Sequence, residues 1–251
     1  MNNYKRHGQD SYLKFISLQI DNYGPLTGSN FVSFNQSETI ICSGNGLGKT
    51  TIFKVLESLG EIDKTRAWEN VKPFLNVRYE GSNFFFESYR YLTFITSELL
   101  CLPDFINILS SFINQLTDRE LLLANATDLI GFDKSVSLEY FWNPISCGTG
   151  EIIARRMALV LAIRKTLNIE DRLPLVMDSL FNPLDIMWRQ RIQSMLEKIT
   201  GQKIFLIGEN EVYGALENKT PDYYLSIDPS CVEDVDKVRN RNSKIIKNVK
   251  Q

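Results

Sequence analysis

Four kinds of residue or pattern are scarce in this chain, and each scarcity excludes something. The four cysteines, Cys42, Cys101, Cys147 and Cys231, lie far apart with no C-x-x-C pair. That spacing argues against a zinc site or a disulfide framework and suits a reducing compartment. Histidine occurs once, as His7 in the polar N-terminal stretch, so no histidine-based site can be assembled in the body of the chain. No apolar run approaches the roughly 18 residues a membrane helix needs, and the first residues hold no apolar signal core. The expectation is a soluble, cytoplasmic protein without a membrane partner. Charge of one sign is also scarce: 28 Lys+Arg against 30 Asp+Glu leave a net charge of −2. Any nucleic-acid contact must therefore come from a local patch. Internal repeats and long heptad runs are missing too, which excludes a solenoid or an extended coiled coil.

What is present is concentrated in a few short runs. Ser43-Gly44-Asn45-Gly46-Leu47-Gly48-Lys49-Thr50 follows the apolar run Thr39-Ile40-Ile41-Cys42 and opens the helix-like run Thr50-Thr51-Ile52-Phe53-Lys54-Val55-Leu56. Strand, glycine-rich turn and helix form the setting of a phosphate-binding loop. Glycines let backbone N–H groups approach a polyphosphate, Lys49 reaches the β/γ-phosphates, and the Thr50 hydroxyl ligates Mg²⁺. Ser43 stands where the pattern G-x-x-x-x-G-K-[ST] has its first glycine. ATP and Mg²⁺ are the cofactors this loop predicts.

Two weaker elements follow. Leu173-Pro174-Leu175-Val176-Met177-Asp178 is an apolar strand ending in a carboxylate that could orient Mg²⁺, continued by Ser179-Leu180-Phe181-Asn182-Pro183-Leu184-Asp185. Ile145-Ser146-Cys147-Gly148-Thr149-Gly150-Glu151 precedes a helix over 152–167. Its serine and glycines could hold an anion, and the plain alternative is a Ser/Gly cap with Glu151 in the first turn.

The remaining chain reads as strands over 13–20 and 30–34 joined through Asp21-Asn22-Tyr23-Gly24-Pro25. A hairpin is expected over 74–79 and 84–91, and mostly helix over 97–131 on the pattern Phe105-Ile106-x-x-Leu109-x-x-Phe112-Ile113-x-x-Leu116. A helix over 151–167, a strand over 173–177, a helix over 188–200 and a strand over 203–207 complete the pass. Lys237, Arg239, Arg241, Lys244, Lys247 and Lys250 put six positive charges in the last 15 residues. They read as a solvated, disordered terminus or as a DNA-binding arm.

The order phosphate loop, Ser-x-Gly, strand-Asp, Leu-Asp resembles the ATP-binding cassette (ABC) ATPases, specifically head domains of the SMC/RecF/RecN-like branch. The resemblance runs in element order from about 13 to 225 and is specific at the four motifs. It implies an α/β fold: a P-loop NTPase of the ABC/SMC-head type, with a β-rich N-terminal lobe plus a parallel-sheet lobe and a short helical insert replacing coiled-coil arms. The expected division is a flexible 1–10, one head over 11–230 and a polar basic tail over 231–251. Within the head, lobe I covers about 11–95, the insert about 96–144 and lobe II about 145–230.

The resemblance further implies that two heads, as a homodimer or a head-to-head heterodimer, sandwich two ATP molecules. Residues 44–51 of one chain would face Ser146 and Gly148 of the other, with Asp185 at the seam. Arg66, or Lys64, would touch nucleotide or DNA; a solvated surface charge is the alternative. The implied function is an ATP-dependently dimerising ATPase in DNA repair, DNA maintenance or phage defence, with DNA and a nuclease or other effector as partners.

This chain departs from the family pattern at several points. The glutamate that usually follows the strand-end aspartate is Ser179, a poor base, although a similar Asp-Ser pattern occurs in the DndD-like subgroup. No switch histidine follows the 203–207 strand. Gly208-Glu209-Asn210 stands there, where Glu209 or Asn210 would substitute as a water-positioning or γ-phosphate-sensing group; the alternative is that Glu209 caps a loop. Gln115 does not fit a Q-loop. These departures predict slow hydrolysis or, alternatively, a nucleotide-gated scaffold or sensor with little hydrolysis.

Overall fold

The computed structural model describes residues 12–57, 75–80, 103–117, 148–212, 216, 219–227 and 243–248. Within them the chain forms eight strands: β1 (Tyr12–Tyr23), β2 (Leu26–Ser33), β3 (Glu38–Ser43), β4 (Leu75–Glu80), β5 (Leu175–Asp178), β6 (Lys203–Gly208), β7 (Tyr223–Ile227) and β8 (Ser243–Lys247). The helices are α1 (Lys49–Glu57), α2 (Pro103–Thr117), α3 (Thr149–Thr166), α4 (Ile186–Glu197) and the single turn α5 (Glu209–Val212). The strand expectations over 13–20, 30–34, 173–177 and 203–207 and the helix expectations over 151–167 and 188–200 fall on these elements with shifts of a few residues at their ends; of the stretch 97–131, the part described is α2. The second strand of the 74–91 hairpin lies outside the described residues.

The chain divides into two compact units: residues 1–86, 171–182 and 200–251, and residues 87–170 and 183–199. The first contains one sheet in the order β4-β1-β2-β8-β7-β3-β6-β5. One end is antiparallel. β1 and β2 pair from Ser17↔Ser33 to Tyr23↔Leu26 around Gly24, whose φ of 60° the turn requires. Asn22, also left-handed at φ 51°, accepts the Gly28 N–H on its side-chain oxygen at 2.7 Å. The other end is parallel. β6 lies between β3 and β5, with Ser43↔Gly208 and Asp178↔Leu206 in register. Parallel strands buried on both faces read as continuous apolar runs, which is what Ile204-Phe205-Leu206-Ile207 supplies.

β8 joins the two ends, pairing antiparallel with β7 and parallel with β2. This corrects the reading of the basic terminus as solvated and disordered over 243–247. Ser-Lys-Ile-Ile-Lys is too short and too charged for periodicity to mark it. Its ladder runs along β7, while on the β2 side Ser243 N donates to Pro25 O at 2.7 Å and Ile245 N to Asn30 Oδ1 at 2.8 Å. Ser243 is fully buried, and its Oγ lies 2.6 Å from the carbonyl of Leu47 and 3.1 Å from that of Pro25. Residues 1–11 and 228–242 lie outside the described residues.

The core of this unit covers one face of the sheet with α1. Phe15, Leu18, Ile20, Val32, Ile41, Ile52, Val55, Leu206 and Leu225 form one buried cluster. Each such side chain contributes roughly 1.5–3 kcal/mol on removal from water. Tyr223 is buried there with its hydroxyl satisfied, accepting from Ser33 N at 2.8 Å and donating to Ser33 O at 3.1 Å.

The second unit contains α2, α3 and α4. On α2, Phe105, Leu109, Ile113 and Leu116 are buried, the helical stripe its spacing predicts. α3 presents Ala154, Met157, Ala158, Leu161 and Ala162 to the interior. This division assigns α3 and α4 to the helical unit, whereas the sequence reading set 145–230 apart as lobe II.

Candidate nucleotide-binding site

β3 ends at Ser43 and α1 begins at Lys49, so the glycine-rich segment is a loop between a buried strand and a helix N-terminus. Gly46 and Gly48 adopt φ of 78° and 111°, where side chains are strained. At Gly48 a Cβ would also sit 3.1 Å from Pro25 and 3.5 Å from Leu26 and Leu225. Ser43, by contrast, belongs to β3 and has no left-handed backbone. A serine is therefore accommodated where the motif has glycine. Its hydroxyl donates to Gly44 O at 2.8 Å and accepts from Lys49 Nζ at 3.3 Å.

Lys49 is only 7% exposed, and its ammonium also donates to the carbonyls of Ser43 and Gly44, each at 3.1 Å. A buried ammonium needs such partners. Asn45 and Gly46 are exposed at the loop tip, Leu47 is buried beneath it, and Thr51 is half-buried as the third residue of α1.

Asp178 ends β5 at the same edge of the sheet. Its Oδ2 accepts from Thr50 Oγ1 at 3.0 Å, closing a contact across 128 positions. Its Oδ1 accepts from Ser179 Oγ at 3.3 Å. Ser179 is one of three non-glycine residues among those described with positive φ, at 51°. A left-handed serine costs on the order of 1 kcal/mol. The turn is held by Ser179 N donating to Leu206 O at 2.8 Å and Asn182 N donating to Ser179 O at 3.3 Å.

The turn after β6 completes this edge. Glu209 and Asn210 are exposed, and Asn210 donates to the Asn182 side-chain oxygen at 3.1 Å. Glu211 is 1% exposed and accepts Gly208 N at 2.8 Å and Phe181 N at 2.9 Å. Sequence reasoning missed Glu211; nothing in the run Glu209-Asn210-Glu211 says which carboxylate turns inward. Cys42, beneath the loop, has its thiol pushed up to about 11 by burial first, then by Glu209. It is held as a neutral thiol at physiological pH.

Thus Ser43 to Thr51, Asp178, Ser179 and Glu209 come from the ends of three adjacent parallel strands. Arg66, Lys64 and Ser146 lie outside the described residues. Gly148 and Asp185 belong to the second unit. Gly148 is the exposed N-cap of α3, with extended φ −68° and ψ 160° and no side-chain cap bond. Glu151, in the first turn, is paired with Arg155 at 2.7 Å. Asp185 is the N-cap of α4, its Oδ1 accepting Trp188 N at 2.9 Å. Gln115 is exposed on α2 and bonded to Ser111.

Gly150 has a packing reason of its own. A Cβ there would lie 2.5 Å from Trp188 Cδ1 and 2.6 Å from Nε1, inside any real contact distance. Gly150→Ala is expected to destabilise the helical unit by about 1–3 kcal/mol, the cost of overpacking. A thermal melt checks it; an unchanged midpoint would show that Trp188 yields freely.

No family model matches the chain, and no curated protein matches it. Solved structures do resemble it. The SMC head domain from Thermotoga maritima is 13% identical, with 94% of this chain and 100% of that chain covered and a TM-score of 0.50. A structure of the SMC head bound to the C-winged helix domain of ScpA is 11% identical, covering 93% and 97%, with a TM-score of 0.55. The fold is that of P-loop NTPases of the ABC/SMC-head type. Among the described residues no helix is long and apolar enough to cross a membrane.

Proposed function

We propose that this chain is an ATP-binding, ATP-dependently dimerising ATPase head of the SMC/RecF-like type, with slow hydrolysis. The observation that carries this reading is the Thr50–Asp178 contact at 3.0 Å, beside Lys49 and the loop amides. It brings a hydroxyl and a carboxylate together at a helix N-terminus, the donor chemistry Mg²⁺ takes when nucleotide phosphates and water supply its other ligands. Among the described residues no cluster of three His, Cys, Asp or Glu forms a protein cage, which suits that mode. Mg²⁺ held by Thr50 and Asp178 would supply charge neutralisation for the phosphates. The chain's own part is to cradle them with the amides of 44–51 and to place Lys49 beside them.

Gly148 is exposed at the N-terminus of α3, where backbone amides and the helix dipole favour an anion. With Ser146, it is the surface we assign to the nucleotide of a second chain, Asp185 standing at the seam. Arg66 is assigned to nucleotide or DNA. The proposed setting is cytoplasmic DNA repair, DNA maintenance or phage defence, with DNA and a nuclease or other effector as partners. Likeness to a head bound to a winged-helix domain supports a protein partner.

The test is the size of the protein with and without a non-hydrolysable ATP analogue and Mg²⁺. Conversion to a dimer is expected. A monomer that binds the analogue yet never pairs would overturn the dimer site.

Ser179 favours a second reading, a nucleotide-gated scaffold or sensor that barely turns over. Its hydroxyl is bonded to Asp178 and has little basicity to offer a water.

A further inference from the structure

The turn after β5 and the turn after β6 are joined by a buried carboxylate that no motif marks. Glu211 Oε2 accepts Phe181 N at 2.9 Å, and Oε1 accepts Gly208 N at 2.8 Å. Phe181 is itself buried, stacked on Phe205 with ring centroids 6.4 Å apart. Gly208 has no room for a side chain: a Cβ there would sit 2.6 Å from Asn210 Oδ1 and 3.1 Å from Glu211 Oε1. On the surface the Asn210–Asn182 side-chain bond ties the same two turns a second time.

These turns carry different parts of the site. One holds Asp178 and Ser179 and ends at Asn182, the last residue of the sheet unit before the chain passes into the helical unit at Pro183. The other holds Glu209. A carboxylate whose two oxygens each hold an amide of a different turn fixes their separation to within hydrogen-bond tolerance.

We infer that Glu211 is a positioning residue, a clasp that makes the Asp178–Asn182 turn and the Gly208–Glu209 turn respond as one piece to bound nucleotide. This rests on the ATPase reading above. Glu211 touches no phosphate. It acts through Phe181 N and Gly208 N, so that a shift at the phosphate side is delivered to Asn182 and thence to the segment leading to Asp185. Substituting the side chain uncouples the two turns while leaving the loop around Lys49 as it was.

The experiment is Glu211→Gln in the full chain, read three ways: equilibrium binding of a fluorescent ATP analogue, analogue-induced dimerisation, and phosphate release per folded molecule. An amide offers one acceptor to two N–H donors and opposes the second with its own NH₂. Binding is expected to stay within about twofold, while dimerisation and turnover fall about tenfold, the scale of one lost hydrogen bond to a charged group. A residue that only stabilised the fold would lower the melting point and leave all three per-molecule readouts unchanged. Dimerisation at wild-type concentrations would overturn the inference. If Glu211→Gln does not fold, Glu211→Asp, which keeps the charge and reaches one amide, is read by the same criteria. Failure of both to fold makes the residue structural and also overturns it. Wild-type protein that binds no ATP overturns the ATPase reading first, and this inference with it.

Discussion

Lys49→Ala is expected to remove ATP binding, and dimerisation driven by ATP, while leaving the chain folded. The ammonium is held by three acceptors at the strand end and the first loop residue: Ser43 O, Gly44 O and Ser43 Oγ. Gly44 O keeps a donor in the Ser43 hydroxyl after the substitution, and the strand register of Ser43 with Gly208 and Leu225 is untouched. The loss of stability is therefore small, about 1 kcal/mol, which moves a melting midpoint by roughly 2–4 °C in a chain of this size. Binding depends on the lysine far more. Its charge-assisted bonds to phosphate oxygens are worth about 1.5–3 kcal/mol each, so two of them lost weaken binding about a hundredfold or more. Titration with a fluorescent ATP analogue measures it, with circular dichroism as the check on folding. Unchanged affinity in a folded variant would sink the nucleotide-binding assignment.

The parts of the site legible in the sequence are those written in consecutive residues. Residues 43–50 declare strand, turn and helix within eight positions, and Asp178 follows an apolar run that ends where β5 ends. Helix stripes were legible for the same reason: Phe105, Leu109, Ile113 and Leu116 are a local pattern with a single solution. What could not be read is what depends on pairs distant in sequence. β8 becomes a strand because β2 and β7 offer edges more than 200 and about 20 positions away, not because its own five residues insist on it. β7 is the exception: Tyr223–Ile227 is an alternating run flanked by Thr220-Pro221-Asp222 and Asp228-Pro229, so its local signals are in the sequence. Ser243 reaches Leu47 in the phosphate loop across 196 positions. Glu211 is a carboxylate in a polar run until the turns that bury it exist. Gly150 looked like part of an anion loop, and the close approach of Trp188 gives it a second reason to be glycine.

Ser179→Glu is the second substitution with a large expected effect, and two terms of opposite consequence set it. Introducing a carboxylate next to Asp178 supplies the base that a serine does not, and general bases contribute roughly 10²–10⁴ in rate when correctly placed. Against this, position 179 has φ of 51°, its hydroxyl bond to Asp178 is lost, and a second carboxylate is set beside the first. A longer side chain in the left-handed region keeps a strain of on the order of 1 kcal/mol, and like-charge repulsion opposes full ionisation of both groups. The net expectation is a somewhat lower melting point with a rise in phosphate release of at least about tenfold, the rate term outweighing partial misplacement. Ser179→Gly separates the terms. It relieves the backbone strain, raising the midpoint if anything, and leaves hydrolysis as slow as in the wild type because it adds no base. A large rise supports the nucleotide-gated reading, in which Ser179 withholds the base from the wild-type site. If Ser179→Glu binds ATP normally and turns over no faster, Ser179 is not what limits hydrolysis, and that reading loses the observation that favours it.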